Sequence, residues 1–288
     1  MSTLQSWGAA FRRGAQWRYL LVYVVGTLIP ALVLYAPAHG FLQTLFDHST
    51  REPELVPALD SAGFLEVMKQ LGTPEAPDLH GTIHTMVLIA LLLVGPALAG
   101  AAAIVADRDA PPRLRQVLAA AGAYYPRMLR MVFVSIVPLG IAIALSGAIL
   151  HFTNRSNAHA VLETAASRTS LIAGIVVGVL VWLALSTVEV GRAVLVAEPE
   201  RRSAFLAWWR GVRFFVRRFP SVLGLCLVTT LVALFIALGL TAIRLRLNVT
   251  GPALIGLEFL VAQGAIAVLG WGRSSRLAGL VAMLRATP

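Results

Sequence analysis

Cysteine is nearly absent. Cys226 is the only one in 288 residues, so no disulfide framework can hold the chain together. Charge is also scarce, at 13% of residues against about 25% in an ordinary soluble domain. The sequence lacks His-Glu-x-x-His, Gly-x-Ser-x-Gly, a P-loop and a dinucleotide fingerprint, the signatures of four common catalytic machineries. No enzymatic activity and no cofactor are therefore expected. What is abundant is apolar: 58% of residues are hydrophobic and the mean hydropathy is +0.78. That excludes a disordered chain, which needs low hydrophobicity to stay solvated. It points instead to a polytopic membrane protein.

A helix needs about 20 apolar residues to cross a hydrocarbon core of about 30 Å. Six runs approach that length: Tyr19 to Pro37, Thr85 to Ala106, Met131 to Leu150, Thr169 to Val188, Phe219 to Ile243 and Pro252 to Trp271. Only the sixth is interrupted by a charge, Glu258. The runs show no barrel-like alternation, and lipid leaves no water to satisfy an open backbone. The expected fold is an all-α membrane protein with six transmembrane helices in a single domain spanning residues 1–288. Arg12 and Arg13 precede the first run, and Ala36-Pro37-Ala38 has the form of a signal cleavage site. The run exceeds the usual signal h-region of about 7–15 residues, so an uncleaved span is expected.

Basic residues are distributed unevenly between the runs. Segments 1–18, 107–130, 189–218 and 272–288 hold 18 arginines, while 37–84, 151–168 and 244–251 hold 6 basic residues. Acidic residues show the reverse bias, 5 against 8. The positive-inside rule then puts both termini in the cytoplasm. The net charge of +10 reads as charge at a lipid surface rather than as nucleic-acid binding.

A basic, aromatic segment precedes each odd-numbered run. In the third of these, Phe205, Trp208, Trp209, Val212, Phe215 and Phe219 share one helical face, and arginines lie largely elsewhere. Leu114, Val117, Leu118, Ala121, Tyr125 and Met128 repeat the pattern, and Leu4, Trp7 and Phe11 do so more weakly. Three cytoplasmic elbow helices are expected, with Pro126 and Pro220 marking bends into the spans. The chain then parses into elbow-hairpin units of about 1–106, 107–197 and 198–288. Rings at headgroup depth and arginines on phosphates make such a helix an interface for membrane lipids, or for a cytoplasmic or membrane protein partner. The residues expected at this interface are Trp208, Trp209, Arg210, Arg213 and Arg217.

The fourth run continues as Glu189-Val-Gly-Arg192 and reaches Glu198-Pro199. Glu189 and Arg192, at i,i+3, are expected to pair at the inner boundary. The stretch from Gly191 through Glu198-Pro-Glu-Arg201-Arg202-Ser203 to Trp209-Arg-Gly-Val-Arg-Phe214 resembles uncharacterised bacterial six-span membrane proteins. Their architecture is similar to the membrane domain of some glycerophosphodiester phosphodiesterases. The resemblance implies a fold and not that activity, because no phosphodiesterase domain accompanies it.

Glu258 is the main candidate for chemistry. It lies roughly 9 Å inside the sixth run, at about 1.5 Å per residue. A carboxylate there costs about 2.5–3.5 kcal/mol unless it faces protein or water. It is a candidate substrate or proton site, with Arg244 and Arg246 as ion-pair partners across a short turn. All six histidines fall in the expected outer segments: His39, His48, His80, His84, His151 and His159. His80 and His84 have the i,i+4 spacing of a zinc pair, but no third ligand stands at a fixed spacing, so no metal site is expected. The loop 37–84 should carry a short helix over Asp60 to Leu71, packed as a cap. Pro30, Pro96 and Pro138 should kink their spans. The expected function is a transport or permease-type component handling a lipid or amphipathic solute. The alternative is a non-catalytic scaffold that binds a partner through its elbows.

Overall fold

The structure, a computed structural model, describes residues 3–46, 77–108, 110–157, 163–246 and 252–286. The helix expected over Asp60 to Leu71 and two of the histidines, His48 and His159, lie outside the described residues. Among the described residues eight helices follow one another: α1 (Thr3–Gly14), α2 (Trp17–Phe46), α3 (Pro77–Asp107), α4 (Leu114–Asn157), α5 (Glu163–Ala197), α6 (Ala204–Arg217), α7 (Phe219–Arg246) and α8 (Pro252–Arg285). No strand occurs among the described residues.

Four stretches are long and apolar enough to cross a membrane: Leu88–Asp107, Leu114–Asn157, Ser167–Ala197 and Phe219–Arg246. A fifth follows if Gly8–Gly14 and Trp17–Val33, bent by 57°, are one span. The count among the described residues is therefore four to five. α8 covers the whole run expected as the sixth span, with Glu258 and Gln263 inside that run and Arg273 and Arg276 beyond it.

The segments expected as elbows differ from one another. α6 is a separate amphipathic helix. Its N-cap Ser203 accepts the Leu206 N–H, and the Arg218 N–H closes the last turn on the Phe214 carbonyl. The chain then turns directly into α7, where Pro220 sits in the first turn and needs no donor. The elbow expected before the third run is different. α4 runs without a break from Leu114 to Asn157, through Pro126 and Pro138. A proline removes one backbone bond, and packing of α4 along both α3 and α5 carries the helix past it.

α8 is the hub of the bundle and touches α1, α2, α3, α5 and α7. α3 supplies a run of small buried residues, Ala99 and Ala101 to Ala103, which lets its neighbours approach closely. At Gly100, an added Cβ would stand 2.9 Å from the Ala121 carbonyl of α4. α1 folds back on α8, the two ends of the chain meeting. The Trp271 indole N–H donates to the Phe11 carbonyl at 3.1 Å, and the Ser274 hydroxyl donates to the Gly14 carbonyl at 3.1 Å. Arg285 closes this end by pairing with Asp107.

Packing is uneven along the bundle. Wholly buried large side chains such as Tyr19, Met128, Met131, Leu195, Leu225 and Leu280 all belong to one end. This is the end where α1 and α6 dock, and it is called the basic end here. At the opposite end the helices expose Ile29, Ile143, Leu171, Phe235 and Leu260, all at least half exposed. The apolar surface extends over α2, α4, α5, α7 and α8. In water such a continuous surface marks a membrane or partner contact, and against lipid tails it carries no hydration penalty.

Candidate functional site

Two groups of charged side chains stand out, one at each end of the bundle. At the basic end, Glu189 and Arg192 lie one turn apart on α5, and the Arg192 guanidinium donates to the Glu189 carboxylate at 2.6 Å. Arg273 of α8 approaches the same carboxylate oxygen at 3.9 Å. Arg276, one turn further along α8, adds a third positive charge within electrostatic reach. Tyr19 and Tyr23 of α2 stand beside Arg273. Their rings are 5.9 Å apart, and Tyr23 lies flat enough on α8 that a Cβ at Gly270 would overlap its ring. The carboxylate is 13% exposed, Arg192 16% and Arg273 22%.

The expected pair of Glu189 and Arg192 is thus present, within a larger cluster drawn from α2, α5 and α8. Tyr19, Tyr23, Arg273 and Arg276 were not read from the sequence. The available signal was Arg273-Ser-Ser-Arg276, two cations at i,i+3 between apolar stretches of the same helix.

At the opposite end, Arg244 of α7 donates to Glu258 of α8 at 2.8 Å. The pair is half-open, with 48% of the Arg244 side chain and 26% of Glu258 exposed. Arg246, the other expected partner, is exposed two residues further on and is not the residue that closes this pair. The pair sits at the apolar, loosely packed end. Earlier on α7, Leu231, Val232, Leu234, Phe235, Ile236 and Leu238 line a shallow, wholly apolar depression of about 480 Å³.

On α6 the expected interface divides. Trp208 belongs to the interior and not to an interface. It is 8% exposed, and its indole N–H donates to the Thr187 hydroxyl of α5 at 3.3 Å. The cause is a close crossing at which a Cβ on Gly211 would meet the Gly191 nitrogen at 2.8 Å, pressing Trp208 against α5. Trp209 points outward at 45% exposure, with the Arg213 guanidinium 5.6 Å above its ring. Arg210 bonds Glu198 at 3.0 Å, and Glu198 also holds Arg201 at 2.7 Å. Arg217 is exposed in the last turn. Of the residues expected at that interface, Trp209, Arg210, Arg213 and Arg217 are exposed.

His80 and His84 fall in the first turns of α3, their side chains outside the described residues; His151 is exposed on α4. No group of three metal-ligating side chains occurs among the described residues. Cys226 is buried on α7. No protein-family model, curated protein or solved structure matches the chain.

Proposed function

We propose that this chain is a transport or permease-type component of a bacterial inner membrane, handling a lipid or another amphipathic solute. The observation that carries this reading is the Glu258–Arg244 pair, half-exposed at an end of the bundle whose surroundings are almost wholly apolar. An amphipathic molecule needs both features together: apolar surface for its tail and a polar pair for its head. Ionisable groups at membrane depth commonly line substrate or ion paths. In the full reading, six spans form the domain, with α1 and α6 as its separate basic elbows and both termini cytoplasmic by the uneven placement of arginine.

The test is flux of a labelled phospholipid in proteoliposomes, comparing wild type with Glu258→Gln. The exposed pair contributes about 1 kcal/mol or less to stability, so the variant should stay folded. Flux should fall. Wild-type flux in a folded variant removes Glu258 as the site.

The scaffold reading keeps one observation of its own, the outward Trp209–Arg213 stack on α6. Under it, changing Arg210, Arg213 and Arg217 to Glu abolishes partner recovery and leaves flux irrelevant.

A further inference from the structure

The Glu189 cluster is not electrically balanced. Arg192 and Arg273 approach the Glu189 carboxylate at 2.6 and 3.9 Å, and Arg276 is within electrostatic reach of it. The other carboxylate near this end of α5, Glu198, is engaged with Arg201 and Arg210. Two positive charges are left over in a site where Glu189, Arg192 and Arg273 are at most 22% exposed. Charges taken out of water are tolerated when each has a partner, and an uncompensated one costs several kcal/mol.

The unused hydrogen-bonding capacity has the same sign. The Nε of Arg192, the Nε of Arg276 and the hydroxyl of Tyr19 are all buried without a partner among the described residues. Each of the three can donate. Tyr19 is wholly buried, and it stands beside Arg273. Three helices thus converge donors and excess positive charge on one place, and the group that would complete it is an anion rich in acceptor oxygens.

We propose that this cluster binds a phosphate group, with Arg192, Arg273, Arg276 and Tyr19 as its ligands. A guanidinium matches phosphate oxygens in a two-pronged geometry, which suits phosphate better than a halide. A phosphate monoester carries about −1.5 to −2 charges at neutral pH, close to the excess present here. Glu189 holds Arg192 and Arg273 in place and limits the excess, so the site need not close permanently on its ligand. Arg192 and Arg273 are 16% and 22% exposed, so the cluster is not sealed from its surroundings. The phosphate can belong to a lipid headgroup or to a soluble molecule. The site is independent of whether the chain transports anything.

The experiment uses the full chain in nanodiscs, read as its thermal unfolding temperature by tryptophan fluorescence. One arm has phosphatidylcholine discs with and without inorganic phosphate, at equal ionic strength set with chloride. The other compares phosphatidylcholine discs with discs containing phosphatidic acid. A rise with inorganic phosphate assigns a soluble ligand. A rise confined to phosphatidic acid discs assigns a lipid headgroup. In either case Arg276→Gln should weaken binding about 10-fold to 100-fold, as expected for loss of a charge-assisted bond. Tyr19→Phe should weaken it less, and it serves where Arg276→Gln does not fold. The proposal is overturned if wild type responds to neither anion. It is equally overturned if Arg276→Gln, or Tyr19→Phe in its place, responds as wild type does. Without a bound anion, removing one of the repelling cations should raise the unfolding temperature in every disc.

Discussion

Glu189→Gln removes the carboxylate that holds Arg192 at 2.6 Å and Arg273 at 3.9 Å. The side chain keeps its size, so packing is conserved and the change is almost purely electrostatic. Two charges about 4 Å apart at an effective dielectric of 20 interact by about 4 kcal/mol. Breaking a buried pair by removing one partner costs about 3–5 kcal/mol in measured cases. The two routes agree, because the carboxylate is only 13% exposed and solvent screens it little. For a chain of this size, about 2–4 °C accompany each kcal/mol, which gives a fall of roughly 10 °C. Thermal unfolding in a neutral detergent without phosphate is the assay. Glu198→Gln is the control. Its partners Arg201 and Arg210 are 28% and 53% exposed, so it should cost about 1 kcal/mol or less. If both variants lose the same small amount, the cluster is solvated and the reasoning from burial is wrong.

Four further variants test the packing of α6 and α4. Gly211→Ala should destabilise by about 1–3 kcal/mol, because the new methyl meets the Gly191 backbone at 2.8 Å and neither helix has a flexible side chain there to yield. Gly122→Ala, with nothing within 4 Å, should be neutral or slightly stabilising in the same thermal assay. Trp208→Ala should cost about 3–5 kcal/mol as a core truncation. Trp209→Ala should leave the unfolding temperature nearly unchanged and weaken binding to anionic vesicles, measured by flotation; a large thermal loss would place Trp209 in the core instead.

Much of the helical architecture is legible before folding is considered, for physical reasons. Lipid demands internally satisfied backbone, so long apolar runs without alternation are readable as helices. The pairing of Glu189 with Arg192 follows from helical spacing alone. Contacts between distant segments do not. Arg273 reaches Glu189 because α5 and α8 pack together, and no local pattern records that. The docking of α1 on α8, through Phe11 and Trp271, likewise joins residues 260 apart in the chain. Trp208 and Trp209 illustrate a finer limit. Neighbours on a helix are about 100° apart and both fit the apolar face. Only the Gly191–Gly211 crossing decides that Trp208 turns inward. The unbroken course of α4 through Pro126 has the same origin, since its contacts with α3 and α5 outweigh a local preference to bend.

The central claim, an amphipath-handling membrane component, is tested most directly by native mass spectrometry after gentle extraction from the source membrane. The account predicts a chain that retains lipid or another amphipathic molecule, with less retained in Glu258→Gln. A chain free of such molecules but bound in fixed stoichiometry to a second protein would contradict it, and would make α6 the interface to mutate next.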